Sequence, residues 1–153
     1  GRKALLWGAD LSGLQAARSS WQDADLSGAR LQGASFAAAY LHRCCLRGVV
    51  AAGSDWRQAR LVEADFRSGL DQLTDLGGAD FQGADLTFAL LQGANLHGAN
   101  LQECCLYGAN LSRADLRLAV GCARVAGALA FEVVKPRPEH LHRDRPVLVL
   151  RFS

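Results

Sequence analysis

From Leu6 to Leu116 this chain places an apolar residue at every fifth position, with one exception. Few backbones can use that spacing. A helix returns to the same face every ~3.6 residues and a strand every ~2.0, so a period of five fits neither. The series runs Leu6, Leu11, Ala16, Trp21, Leu26, Leu31, Phe36, Leu41, Leu46, Ala51, Trp56, Leu61 and Phe66. It breaks at Asp71 and resumes as Leu76, Phe81, Leu86, Leu91, Leu96, Leu101, Leu106, Leu111 and Leu116. Two residues ahead of each stands a small residue, usually Ala, and between them a polar one, often Asp or Asn. Gly recurs as well (Gly28, Gly33, Gly83, Gly93, Gly98, Gly108), and each would burden a helix by roughly 1 kcal/mol. A chain that buries one large and one small residue in every five, then turns, is a solenoid wound around its own core.

The segments ADLSGARLQGASF (24–36) and GADFQGADLTFALLQGANLHGANL (78–101) resemble the pentapeptide-repeat family, and the resemblance extends over about residues 4–131. It implies an all-β fold, a right-handed quadrilateral β-helix of about six coils with twenty residues each. The expected organisation is a β-helix over 1–131, then a non-repeat C-terminal cap or tail over 132–153 with a short strand at Val147–Leu150. With twenty-residue coils, residues n and n+20 stack at roughly 4.8 Å. One expected core ladder is Leu26, Leu46, Phe66, Leu86, Leu106, and another is Phe36, Trp56, Leu76, Leu96, Leu116. The remaining two are Trp21, Leu41, Leu61, Phe81, Leu101 and Leu31, Ala51, Asp71, Leu91, Leu111. A carboxylate at an inward position is costly. The stretch around Asp71 is therefore expected to bulge, with Leu70 or Leu73 taking the core slot, and Trp7 to plug the N-terminal end.

Charge excludes some functions. Seventeen Lys and Arg against fifteen Asp and Glu leave +2, too balanced for a generic nucleic-acid or membrane binder. No apolar run reaches the ~18 residues of a membrane span. Charge is unevenly placed, however. No Lys or Arg falls between Ser68 and Ser112, while Asp71, Asp75, Asp80, Asp85 and Glu103 do, and arginines flank the stretch. Stacked carboxylates such as Asp65 with Asp85, or Asp55 with Asp75, are a product of the repeat and do not by themselves indicate catalysis.

No serine, histidine or cysteine pattern indicates an enzyme, and no metal or cofactor is expected. The pairs Cys44-Cys45 and Cys104-Cys105 lack the Cys-x2-Cys spacing of zinc sites. In twenty-residue coils they lie three coils apart, roughly 14 Å, beyond a disulfide. An odd cysteine count with no secretory signal favours a reducing, cytoplasmic setting, unless the chain travels within a secreted effector. The chain has no Met and starts at Gly1, and it is read as a domain of a longer protein.

The leading functional expectation is a non-catalytic protein–protein interaction scaffold, one module of a larger effector or adaptor. Some members of the resembled family protect DNA gyrase and topoisomerase IV as DNA mimics, which is the alternative. Candidate partner-binding residues are the acidic Asp75, Asp80, Asp85 and Glu103, with His97, Tyr107, Arg47 and Arg67. The partner is another protein rather than nucleic acid or membrane, and the C-terminal strand offers a route to a homodimer.

Overall fold

The computed structural model describes residues 4–121, 131–133 and 150–152. Residues 4–121 wind as a right-handed, four-sided β-helix, the hand that parallel crossover connections nearly always take. Each side is one pentapeptide: a corner residue, an inward large residue, two turn residues and an inward small residue. The corner amide donates to the preceding coil and the next amide to the following one, as in Asp25 to Ala4 O and Leu26 to Cys45 O, both 2.8 Å. A turn bond closes the side, for example Ala29 N–H to Leu26 O at 3.0 Å. The period of five therefore reflects backbone hydrogen bonding, and the alternation of large and small inward residues fills a narrow tube to close-packed density.

Bridged corners form four columns. The first is Leu5, Asp25, Cys45, Asp65, Leu90, Asn110, and the second Asp10, Arg30, Val50, Asp75, Asn95, Asp115. The third is Gln15, Ser35, Asp55, Asp80, Asn100, Val120, and the fourth Ser20, Tyr40, Arg60, Asp85, Cys105. Each face takes the number of the column that begins it. The second turn residue of a side has positive φ, which explains the recurring Gly; Arg18, Ala38, Phe88 and Leu118 adopt the same left-handed backbone.

The columns show why the expected ladders change partners after Phe66. Cys45 bridges Asp65, but Val50 bridges Asp75, so one side takes ten residues instead of five. Residues 69–73 are looped out, closed by Gly69 N–H to Gln72 O at 2.8 Å. An insertion of five keeps the five-residue phase and turns every later residue back by one face. The true core columns are thus Leu26, Leu46, Phe66, Leu91, Leu111 and Phe36, Trp56, Phe81, Leu101, with Leu86 and Leu106 above Leu61. Leu76, Leu96 and Leu116 continue from Ala51 rather than Trp56. Of the expected ladder residues Trp21 is partly buried and Asp71 exposed; the others are buried, and only their neighbours differ. The carboxylates move likewise: Asp55 bridges Asp80, and Asp85 bridges Arg60.

Neither Leu70 nor Leu73 enters the core; they are exposed by 105% and 52%. Thr74 takes the small inward slot instead. Its hydroxyl accepts from Gly48 N–H (2.8 Å) and donates to Arg67 O (3.0 Å), spanning the break in the ladder. Ser68 Oγ accepts from Thr74 N–H and donates to Gly93 O, pinning the other side. Asp71 is exposed, so no carboxylate is buried there.

At the centre Phe36 and Trp56 stack at 4.9 Å, and Trp56 and Phe81 at 6.0 Å, with Phe66 edge-on to both Trp56 and Phe81. Trp7 does not plug the end. It is largely exposed, and its indole N–H reaches Asp25 Oδ2 at 2.8 Å. Beyond the coil, β1 (Phe131–Val133) pairs antiparallel with β2 (Leu150–Phe152), Phe131 opposite Phe152. The strand expected at Val147–Leu150 lies outside the described residues except for Leu150, which opens β2. The boundary expected after residue 131 falls within β1. Among the described residues no helix is long and apolar enough to cross a membrane.

Candidate functional site

The corner carboxylates and amides are first of all turn formers. Asp75, Asp80 and Asp85 each accept the amide two residues on, from Gly77, Gln82 and Thr87, at 2.9–3.0 Å. Asn95, Asn100 and Asn110 do the same, the Asx turn that a short side chain with an oxygen at that reach forms. Asn95 and Asn100 also donate to Asp75 and Asp80 one coil away, both at 3.1 Å.

Arginine two residues after a corner Asp adds a forked pair. Arg57 grips Asp55, Arg67 grips Asp65 and Arg117 grips Asp115, each through Nε and Nη2 at 2.7–2.9 Å. The guanidinium hydrogen bond holds Asp115 down to about 2 and lowers Asp55 as well. Arg43 bonds Asp23 one coil below at 2.8 Å. The Asp-x-Arg spacing is visible in the sequence and was missed as a pairing signal.

The eight partner-binding candidates are dispersed. Asp75, Asp80 and Asp85 lie at three successive corners of one coil and so point in three directions. Arg47 and Arg67 are on face one, where Arg67 is engaged with Asp65. His97 is on face two in the same column as Arg117, and Glu103 is on face three. Two candidates thus fall on each face: Asp75 shares the second with His97, Asp80 the third with Glu103, and Asp85 the fourth with Tyr107.

Face four gathers the exposed aromatics. Among the described residues these are Trp7, Tyr40, Phe88 and Tyr107, and three of the four belong to this face. Phe88 and Tyr107 meet edge to face at 5.6 Å, each half exposed. Tyr40 lies edge to face with His42, and the Arg60 guanidinium sits 5.5 Å from its ring centre, within cation–π range. Phe88 has φ 57° where the repeat favours Gly, an unfavourable backbone for a bulky residue. Its ring lies over Gly108, where an added Cβ would come within 2.4 Å of it. Beside this face an open groove of about 470 Å³ runs among Ala38, Tyr40, Gln58, Arg60, Gly83 and Asp85. Tyr40 and Phe88 were missed as candidates. Phe88 could have been found as the aromatic in a glycine position.

Cys44 and Cys104 fill small inward slots, and burial pushes both thiols up, away from reactivity. They occupy different columns, correcting the common column expected for them. Among the described residues no three His, Cys, Asp or Glu side chains cluster as metal ligands.

A family model described as pentapeptide repeats matches residues 9–48 and 74–117 in eight copies. The unmatched stretch between them contains the looped-out residues 69–73. No curated protein matches. Among solved structures, the chain is similar to a pentapeptide repeat protein of the cyanobacterium Cyanothece 51142, at 25% identity over 81% of this chain and 89% of that one, with TM-score 0.42. It is similar to HetL, involved in heterocyst differentiation regulation in Nostoc sp. strain PCC 7120, at 22% identity over 83% and 91%, TM-score 0.28. It is also similar to QnrB1, a plasmid-mediated fluoroquinolone resistance protein, at 23% identity over 84% and 73%, TM-score 0.31.

Proposed function

The chain belongs to the pentapeptide-repeat family, and on that footing we propose that it is a rigid, non-catalytic scaffold that docks another protein on face four. The observation that carries this reading is Phe88. A half-exposed aromatic ring occupies a left-handed position that Gly fills on most other sides, and it packs edge-on against a second exposed ring, Tyr107. Neither ring fills the core, since both are half exposed. Aromatic residues concentrate the binding energy of protein interfaces, with arginine beside them, and Tyr40 with Arg60 supplies that combination on the same face. A non-catalytic role is supported by how the carboxylates are used, since Asp80 and Asp85 close turns and Asp55 and Asp115 pair with arginine.

A second reading, a duplex-DNA mimic protecting DNA gyrase or topoisomerase IV, is favoured by Asp75, Asp80 and Asp85, which carry no salt bridge among the described residues. Against it, the three point from different corners, and Asp23, Asp55, Asp65 and Asp115 are neutralised by arginine. A mimic of DNA needs sustained negative potential along one side.

Affinity capture from source-cell lysate with three baits separates the readings: the native chain, Phe88→Ala with Tyr107→Ala, and Asp80→Arg with Asp85→Arg. The scaffold reading expects a partner held by the native chain and lost with the aromatic pair. A partner kept by the aromatic variant overturns face four as the docking surface. A topoisomerase subunit lost only with the charge reversal establishes the second reading.

A further inference from the structure

Two shallow recesses meet at the corner between faces three and four. The first, the groove of about 470 Å³, holds Tyr40, Arg60 and Asp85. The second, about 670 Å³, lies on face three among Arg18, Ala37, Arg57 and Gln82. Ala38 and Gln58 line both, so the two form one trough. Its floor is low because Ala37, Ala38 and Gly83 stand where longer outer-turn side chains would project. Gln58 lies across Gly83, where an added Cβ would come within 3.3 Å of its Cγ. From Arg18 to Gln82 the trough crosses four coils, roughly 14 Å at the inter-strand spacing. Small-molecule sites are concave and mostly apolar, whereas this trough is open and its walls carry guanidinium, amide and carboxylate groups.

Three guanidinium groups line the trough. Arg57 is held by Asp55, but Arg18 and Arg60 form no ion pair among the described residues. Arg60 lies over the Tyr40 ring at 5.5 Å. At the far end Asp85 closes its turn with Thr87 and has no arginine partner among the described residues. The trough is therefore positive from Arg18 to Arg60 and negative at Asp85. We propose that it binds an extended segment of a partner protein bearing two acidic side chains followed by a basic one. This rests on the scaffold reading and names the partner's chemistry. Arg18 and Arg60 are two coils apart, roughly 10 Å along the axis, which an extended chain spans in about three residues. Asp85, one coil further on, meets the basic residue. Gln58 and Gln82 each offer a donor and an acceptor to the peptide backbone between these charges. A nucleic acid repeats its negative charge at every unit and would bring phosphate against Asp85, so the change of sign favours a peptide.

The test is selection of phage-displayed random dodecapeptides on the full native chain, then amide chemical-shift mapping with the most enriched peptide. Enriched sequences are expected to share two acidic residues about three apart with a basic residue beyond them, and to shift the amides of Ala38, Gln58 and Gly83. Arg18→Glu with Arg60→Glu should weaken that peptide about tenfold or more. Arg30→Glu with Arg113→Glu, the same charge change at exposed positions on faces two and one, should leave it unchanged. No enrichment, enriched sequences without acidic residues, or binding that survives the reversal at Arg18 and Arg60 each overturns the proposal. So does an oligothymidine that binds more tightly than the peptide and is lost with the same reversal, since the trough would then take nucleic acid. Phe88→Ala with Tyr107→Ala keeps the two readings apart. A peptide held equally by this variant supports the trough independently of the aromatic pair, whereas shifts confined to Phe88 and Tyr107 overturn the trough and leave face four standing. Should the reversed variant fail to fold, Arg18→Gln with Arg60→Gln and the native shift map decide.

Discussion

Trp56 lies fully inside the coil with its indole N–H donated to Ser54 Oγ at 2.6 Å, and Ser54 donates in turn to Ala51 O at 2.5 Å. Trp21 repeats the arrangement with Ser19 and Ala16 O. In both, serine replaces the small apolar residue two positions ahead of tryptophan, because a buried indole N–H left unpaired is costly. Ser54→Ala is therefore expected to destabilise by about 1–3 kcal/mol, although on most other sides that slot is Ala. Adding Trp56→Phe removes the donor and keeps the aromatic stack, so the double variant should recover most of the loss. Urea midpoints of the two single variants and the double one measure the coupling. An additive result would show that the serine is not there for the indole.

Deleting residues 69–73 tests the insertion. The cut joins Ser68 to Thr74 and leaves the uninterrupted repeat Asp65-Phe66-Arg67-Ser68-Thr74-Asp75-Leu76. Because the bridges on either side already treat these five residues as extra, the shortened chain should keep every later column in place. Its thermal midpoint is expected within about 4 °C of the native one, a change of roughly 1 kcal/mol for a chain this size. Loss of the β-sheet circular dichroism signal would mean that the loop holds the register.

What the sequence made legible follows from the same insertion. The five-residue phase survives it, so the inward large residues were identifiable, and from Leu26 onward all but Asp71 prove buried, with Leu6, Leu11 and Trp21 partly buried in the first coil. Which residues stack was not identifiable past Phe66, because an insertion of one whole pentapeptide leaves the phase intact while shifting the face. The sole trace was Asp71 at an inward position. The candidate site suffered for the same reason: columns drawn every twenty residues placed Asp65 with Asp85 and hid face four as a surface. The positive φ of the second turn residue, by contrast, was written in its glycines, and Phe88 stood out among them.

Acid should loosen the coil through the forked pairs. Asp115 titrates at about 2 in the folded chain against 3.8 unperturbed, chiefly through its Arg117 hydrogen bond. A lowered folded value means that the unfolded chain binds the proton first as pH falls. The stability from this pair is therefore full above about 3.8 and lost between there and about 2. Solvent screening limits it to below about 1 kcal/mol. Arg117→Ala should move the Asp115 carboxyl resonance titration up towards 3.8 and leave stability at neutral pH slightly reduced. A titration unmoved by the substitution would assign the depression to the turn amide instead.

Phe88→Gly separates binding from folding. The left-handed backbone at φ 57° costs a side-chain-bearing residue about 1–2 kcal/mol relative to glycine. Losing the edge-to-face contact with Tyr107 removes about 0.5–1.5 kcal/mol. These terms have opposite sign and similar size, and the ring is half exposed, so little burial is lost. The variant should unfold within about 1 kcal/mol of the native chain while partner capture on face four falls away. A large destabilisation would make Phe88 a structural residue of the coil and remove the chief reason for assigning face four to docking. Unchanged stability with unchanged capture would leave the fold as described and place the partner on another face.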